Sequence, residues 1–186
     1  MSSPVVHIAQ GLGSAVALYP LLGENALIFG ASIILMDTDH ILEYVWDTKS
    51  IDPRGFFVYH DILLKNLDKG YLGFNLFHTI ECYLLLLWLG QVYPTCYYIL
   101  GGFLFHHLFD QVSLIKKKCP FVRVFSIPEY LVRKQTHITS IKELLQLDSV
   151  DVDGISNLKY WLDQWGVRLN PYISNNPATR NHHNTL

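Results

Sequence analysis

Cysteine is scarce and scattered in this chain. Cys82, Cys96 and Cys119 are odd in number and form no CxxC pair, which excludes a disulfide framework and a cysteine zinc site. Any metal must therefore be held by histidine and carboxylate. Charge is scarce too: 16% of residues are charged, against about 25% in an average soluble domain. The net charge of -2 comes without a clustered basic face, so nucleic-acid binding is not expected. A basic n-region is also missing from the N-terminus, so no cleavable signal peptide is expected and the first apolar stretch is read as part of the fold.

What the sequence has is apolar length. Half of its 186 residues are hydrophobic and the mean hydropathy is +0.20, which leans towards membrane contact. Val5 to Met36 is interrupted by Pro20, Gly23, Glu24 and Asn25, and Leu72 to Val112 by Gly90, Gln91 and Pro94. Each stretch reads as two helices joined by a short turn, hence as antiparallel neighbours. The expected fold is all-α: an up-down bundle of two helical hairpins, four main helices in all, with shorter C-terminal helices over Ser140 to Leu147 and Ile155 to Trp165.

Residues 1–169 are expected to form a single helical metal-site domain. Its bundle core covers 1–115, and a basic, aromatic segment with the C-terminal helices covers 116–169. Residues 170–186 are read as a flexible tail. Trp46 to Gly70 reads as a partly solvent-facing connector with a short helix. Cys82 to Phe105 is uncharged over a length that crosses a bilayer, which takes about 20 residues. Lys116, Lys117 and Lys118 after the last apolar helix suit a cytoplasmic flank. A membrane location follows as the expectation, with a soluble cytoplasmic bundle as the alternative.

Chemistry is carried by polar residues where an apolar helix has no structural use for them: His7, Asp37, Asp39, His40, His78, Glu81, His106, His107 and Asp110. Burying such groups is costly unless they are paired or bound to a metal. Their positions obey a rule of equal heights. Leu22, near the first turn, lies midway between His7 and Asp37; Val92, near the second, lies midway between His78 and His106. Each residue is then roughly 21 Å from its turn at the helical rise, so four helices bring a ligand to one end of the bundle.

Spacings of three and four place Asp37 with His40, His78 with Glu81, and His106 with Asp110 on shared faces. Asp39 points about 100° away from His40 and is either behind the ligands or displaced by a local irregularity. Imidazole and carboxylate together suit zinc, iron or manganese. The expected metal ligands are His7, Asp37, His40, His78, His106 and Asp110. They serve one or two divalent ions, zinc first, with manganese or iron as alternatives. Glu81 and Asp39 are the expected catalytic residues, Glu81 as general base. His60 and Asp61 are read as water-facing, His137 is unplaced, and His182 and His183 belong to the tail.

At these residues the sequence resembles the small membrane-bound metal-dependent hydrolases of the YdjM type, related in pattern to zinc-dependent phospholipase C and the single-strand nucleases. The motifs are HIAQGLG from His7, MDTDH ending at His40, FHTIE ending at Glu81 and HHLFD ending at Asp110, within roughly the first 115 residues. Met36 stands where that family's PDxDH motif has proline, and FHTIE lacks the basic residue and second histidine of the family's HRxxTH-like motif. The resemblance implies hydrolysis of a phosphoester, lipid-linked in one version, with a membrane lipid as partner. The spacing alone implies only a metal site, whose ion could bring the pKa of a bound water near neutrality. The rival reading is a non-catalytic membrane-associated helical protein with a structural metal or polar network. A di-iron carboxylate bundle ranks last, because the Glu-x-x-His order is reversed at His78 and Glu81.

Overall fold

The structure is a computed structural model that describes residues 4–147. Among them it is helical, with two isolated β-bridges and no strand, so the chain is all-α. The helices are α1 (Pro4–Leu22), α2 (Asn25–Leu35), α3 (Thr38–Thr48), α4 (Pro53–Lys65), α5 (Ile80–Leu89), α6 (Thr95–Lys116), α7 (Ile127–Arg133) and α8 (Ile141–Leu144). The expected C-terminal helix over Ile155 to Trp165 and the tail 170–186 lie outside the described residues.

Both hairpin turns fall close to their expected places. The first is made at Gly23, whose φ of +57° is the left-handed conformation that ends a helix without a Cβ penalty. The second spans the residues between Leu89 and Thr95, with Pro94 as the cap of α6. Helix α2 packs on α1 and on α6, and α6 packs on α5.

Two of these packings rest on glycine. A Cβ on Gly30 would lie 2.5 Å from the Gly11 carbonyl oxygen, and one on Gly11 2.6 Å from that of Gly30. A Cβ on Gly102 would lie 2.6 Å from the Phe29 carbonyl oxygen. These are backbone-to-backbone approaches that only a missing side chain permits, as in tightly packed membrane helices.

The third helix starts later than the apolar run suggests. Residues from Leu72 to Thr79 are extended or form a single 3-10 turn at Leu76–His78, and α5 begins only at Ile80 with Thr79 as its N-cap. The reason is local: Gly73 pairs with the chain around Arg123, donating to Val122 O at 2.9 Å and accepting from Val124 N at 3.3 Å. That edge pairing holds the backbone out of the helical region.

The described residues fall into two compact units. The first takes the residues up to Glu43 with Leu72–His137; the second takes Tyr44–Tyr71 with the residues from Ile138 on. The basic, aromatic segment after α6 thus belongs with the site-bearing helices. The second unit has its own core of Tyr44, Tyr59, Ile62, Leu63, Tyr71, Ile141, Leu144 and Leu145. It is closed by Asp47, whose carboxylate accepts from Ile141 N at 2.7 Å. His60 is buried, with its ring 6.1 Å from that of Phe56 on the same helix, contrary to the water-facing expectation. Asp61 is exposed and pairs with Lys65 at 3.1 Å.

Candidate metal centre

The first unit gathers all six expected ligands. His7 comes from α1, Asp37 from the turn between α2 and α3, His40 from the first turn of α3, His78 from the 3-10 turn, and His106 and Asp110 from α6. Two groups have ligand atoms close enough to share an ion: His7, Asp37, His106 and Asp110, and Asp37, His40 and His78.

The first group forms a ring of contacts. His7 Nε2 lies 3.7 Å from Asp37 and 3.4 Å from Asp110, while His106 Nε2 lies 3.3 Å from Asp37 and 3.5 Å from Asp110. Zinc–ligand bonds of about 2.0–2.2 Å at a tetrahedral centre put neighbouring ligand atoms about 3.3–3.6 Å apart. Three of the four contacts fall in that range and the fourth is 3.7 Å, each carboxylate meeting the two histidines through different oxygens. In the second group, Asp37 lies 3.6 Å from His40 Nε2.

Ring orientation is fixed from behind. His106 Nδ1 donates to the Ile33 carbonyl at 2.8 Å, His7 Nδ1 to Gln10 Oε1 at 3.1 Å, and His78 Nδ1 to Asp39 Oδ2 at 3.2 Å. An oxygen acceptor at Nδ1 puts a proton there and turns Nε2 towards the carboxylates, the usual arrangement behind metal-bound histidine. In His106, against burial, which would lower it, hydrogen bonds to Asp110 and Asp37 raise the pKa to about 9, so a metal would have to displace a proton from its Nε2. His40 Nδ1 faces the Glu43 carboxylate at 3.5 Å and the Asn75 side-chain amide at 3.0 Å. Nε2 of His78 is buried and lacks a hydrogen-bond partner among the described residues, a costly state for a polar atom, whereas Nε2 of His106 lies against Asp37 and Asp110. Burial, then the nearby Arg123 cation, holds the His78 pKa well below the ordinary histidine value, so its Nε2 stays unprotonated at neutral pH.

Among these ligands Asp37 is the most exposed. The Asp37 side chain is 22% exposed, whereas those of His7, His78, His106 and Asp110 are 3% exposed or less. Asp37 forms the lip of the site, and the other four side chains lie beneath it.

The two expected catalytic residues part company. Asp39 is buried, accepts from Phe77 N at 3.0 Å and orients His78; the start of α3 at Thr38 turns it onto that face. Glu81 does not join the ligand groups. Its Oε1 accepts from Ile127 N at 3.1 Å. The three-residue spacing from His78 fails because His78 precedes the helix on which Glu81 sits, so the two do not share a helical face. His107 is in neither ligand group; its ring lies between Tyr83, Phe125 and His78, 5.8 Å from the last. His137 is occupied locally with Thr136 and Arg133, and His182 and His183 lie outside the described residues.

Three residues missed by the sequence reading complete the site. Asn75 and Glu43 sit behind His40, as described. Arg123, 1% exposed, brings a guanidinium to within 3.0 Å of Asp110 and 3.3 Å of His40 Nε2. The signal for it was a lone arginine in the apolar run PFVRVF, which reads as an interfacial segment until its pairing with Gly73 turns the side chain inward. No family model, curated protein or solved structure matches this chain.

Proposed function

We propose that this protein is a membrane-associated, metal-dependent hydrolase acting on a phosphoester. One observation carries the reading: the Nε2 atoms of buried His7 and His106, each ring with Nδ1 tied to an oxygen acceptor, face the same two carboxylates, Asp37 and Asp110, at 3.3–3.7 Å. His7, Asp37, His106 and Asp110 would hold the ion. Zinc is the first choice for this donor set, ahead of manganese and iron. A divalent ion there supplies Lewis acidity and brings the pKa of coordinated water towards neutrality.

The chain's own groups supply the rest. His78 takes the general-base role that the sequence assigned to Glu81. Its Nε2 is unprotonated, and Asp39 fixes the tautomer from behind, so it can accept a proton from water entering past Asp37. Hydrolysis of bis-(p-nitrophenyl) phosphate and p-nitrophenyl phosphate by zinc-loaded protein tests this. Asp39→Asn, which can no longer accept from His78 in the same way, is expected to lower kcat about 100-fold or more with metal content unchanged. Absence of any metal-dependent turnover by the wild type would sink the enzyme reading.

The membrane part rests on apolar surface. The helical stretch Asn25–Thr48 has the length and composition to cross a bilayer, as some core helices also do. Beyond it, Leu12, Val16 and Leu21 on α1, Leu85 and Trp88 on α5, and Leu104 and Leu108 on α6 are exposed. A soluble protein seldom leaves so much apolar side chain in water. An apolar groove of about 350 Å³ between α1 and α2, lined by Leu12, Ala15, Val16, Tyr19, Pro20 and Leu27, suits an acyl chain. The hairpins are expected to insert into phosphatidylcholine vesicles, so that the protein floats with them after an alkaline wash. Protein left in the aqueous fraction would remove the lipid part of the proposal.

A second reading has its own observation. Four protein ligands complete a tetrahedron, as structural zinc sites do, whereas catalytic ones keep a position open. Tight metal binding without turnover would favour that structural role.

A further inference from the structure

We propose that Arg123 occupies the second cation position of this centre, so that the site is built for one metal ion and one guanidinium, and that the pair recognises a phosphoryl group. This rests on the metal-centre reading above and extends it to the number of metal ions and to the residue that recognises the phosphoryl group.

Asp37, His40 and His78 would make a second, three-ligand metal site. Arg123 is already there. Its Nη2 lies 3.3 Å from His40 Nε2, the atom a second ion would need, and its Nη1 lies 3.0 Å from Asp110. A metal and a guanidinium cannot both face His40 Nε2 at that range. The arginine is also held in place. Gly73 exchanges backbone hydrogen bonds with Val122 and Val124 on either side of it, and Phe125 O accepts from Ile80 N at 2.8 Å. Val122 and Val124 are buried with it, so the side chain has no outward alternative along this segment.

Charge argues the same way. A fully buried guanidinium is tolerated only when paired, and one carboxylate, Asp110, serves it and the metal ring together. Asp37 and Asp110 face the two cations, while Asp39 and Glu43 stand behind His78 and His40. The planar donor fork of arginine beside a divalent ion suits an incoming phosphoryl group.

Elemental mass spectrometry of zinc-reconstituted full-length protein tests the first half. Wild type and Arg123→Lys, which keeps a cation, are expected to hold about one equivalent, and Arg123→Met about two, because the second triad is released. Two equivalents in wild type would overturn this proposal while leaving the hydrolase reading standing. No metal in wild type would overturn both. If Arg123→Met fails to fold by circular dichroism, the wild-type and Arg123→Lys stoichiometries still decide.

Calorimetry tests the second half with two phosphoryl sources: inorganic phosphate, and phosphatidylcholine vesicles with and without phosphatidic acid. Zinc-loaded wild type is expected to bind at least one source. Arg123→Lys, which loses the planar fork, is expected to bind it roughly 10-fold more weakly or worse. The arm that shows the effect identifies a free or a lipid-borne phosphate. Equal affinity of wild type and Arg123→Lys in both arms, or binding in neither, overturns the anion role.

Discussion

Replacing His7 and His106 together by alanine is expected to reduce bound zinc from about one equivalent to less than roughly a tenth, with the helical signal retained. These residues supply two of the four side chains in the ring, and their loss leaves an ion that two carboxylates alone hold weakly. The choice of pair matters. Asp110→Ala would also remove metal, but it would leave Arg123 as an unpaired buried charge, which costs about 3–5 kcal/mol. Its metal loss would then be confounded with unfolding. The histidine pair leaves the Arg123–Asp110 contact intact. Elemental analysis with circular dichroism on the same samples reads the result, and metal retention by the His7→Ala, His106→Ala protein would show that the ring is not the ligand set.

The second large effect is a reversal of sign. In an ordinary helix interior glycine to alanine stabilises by about 1 kcal/mol. At Gly30 and Gly102 it is expected to destabilise by about 1–3 kcal/mol or more, because the added methyl would meet a backbone carbonyl oxygen at 2.5 and 2.6 Å. A carbonyl in a helix cannot swing aside as a side chain can. Gly13 supplies the control: nothing lies within 4 Å of its Cβ position, so Gly13→Ala is expected to be neutral or stabilising. Thermal unfolding of the three variants in the same detergent compares them. Gly102→Ala is also expected to weaken zinc binding, since Gly102 lies one helical turn before His106, whose ring is positioned by the carbonyl of Ile33 on α2. Unchanged melting in both Gly30→Ala and Gly102→Ala would mean that the helices stand further apart than described.

The expected ligands illustrate how a local rule can succeed or fail. His106 and Asp110 lie on one continuous helix, so their spacing of four placed them on one face, as the 3.5 Å contact bears out. His78 and Glu81 have an equally good spacing, yet Thr79 caps α5 between them and only His78 reaches the centre. No periodicity in FHTIE reveals that break, because it is imposed by the pairing of Gly73 with a segment some fifty residues later.

The sequence by itself determined the all-helical class, the two hairpin turns and the six polar residues that converge. Helical periodicity, turn-forming glycine and proline, and the cost of burying charge are all local properties, readable from neighbours in the chain. Only the tertiary structure decided that Asp39 stands behind His78, that Glu81 is excluded, and that Arg123 enters the centre from a segment that reads as surface. Those three outcomes depend on long-range backbone pairing and on which carboxylate a buried cation meets, and neither is written in the spacing of residues along one helix.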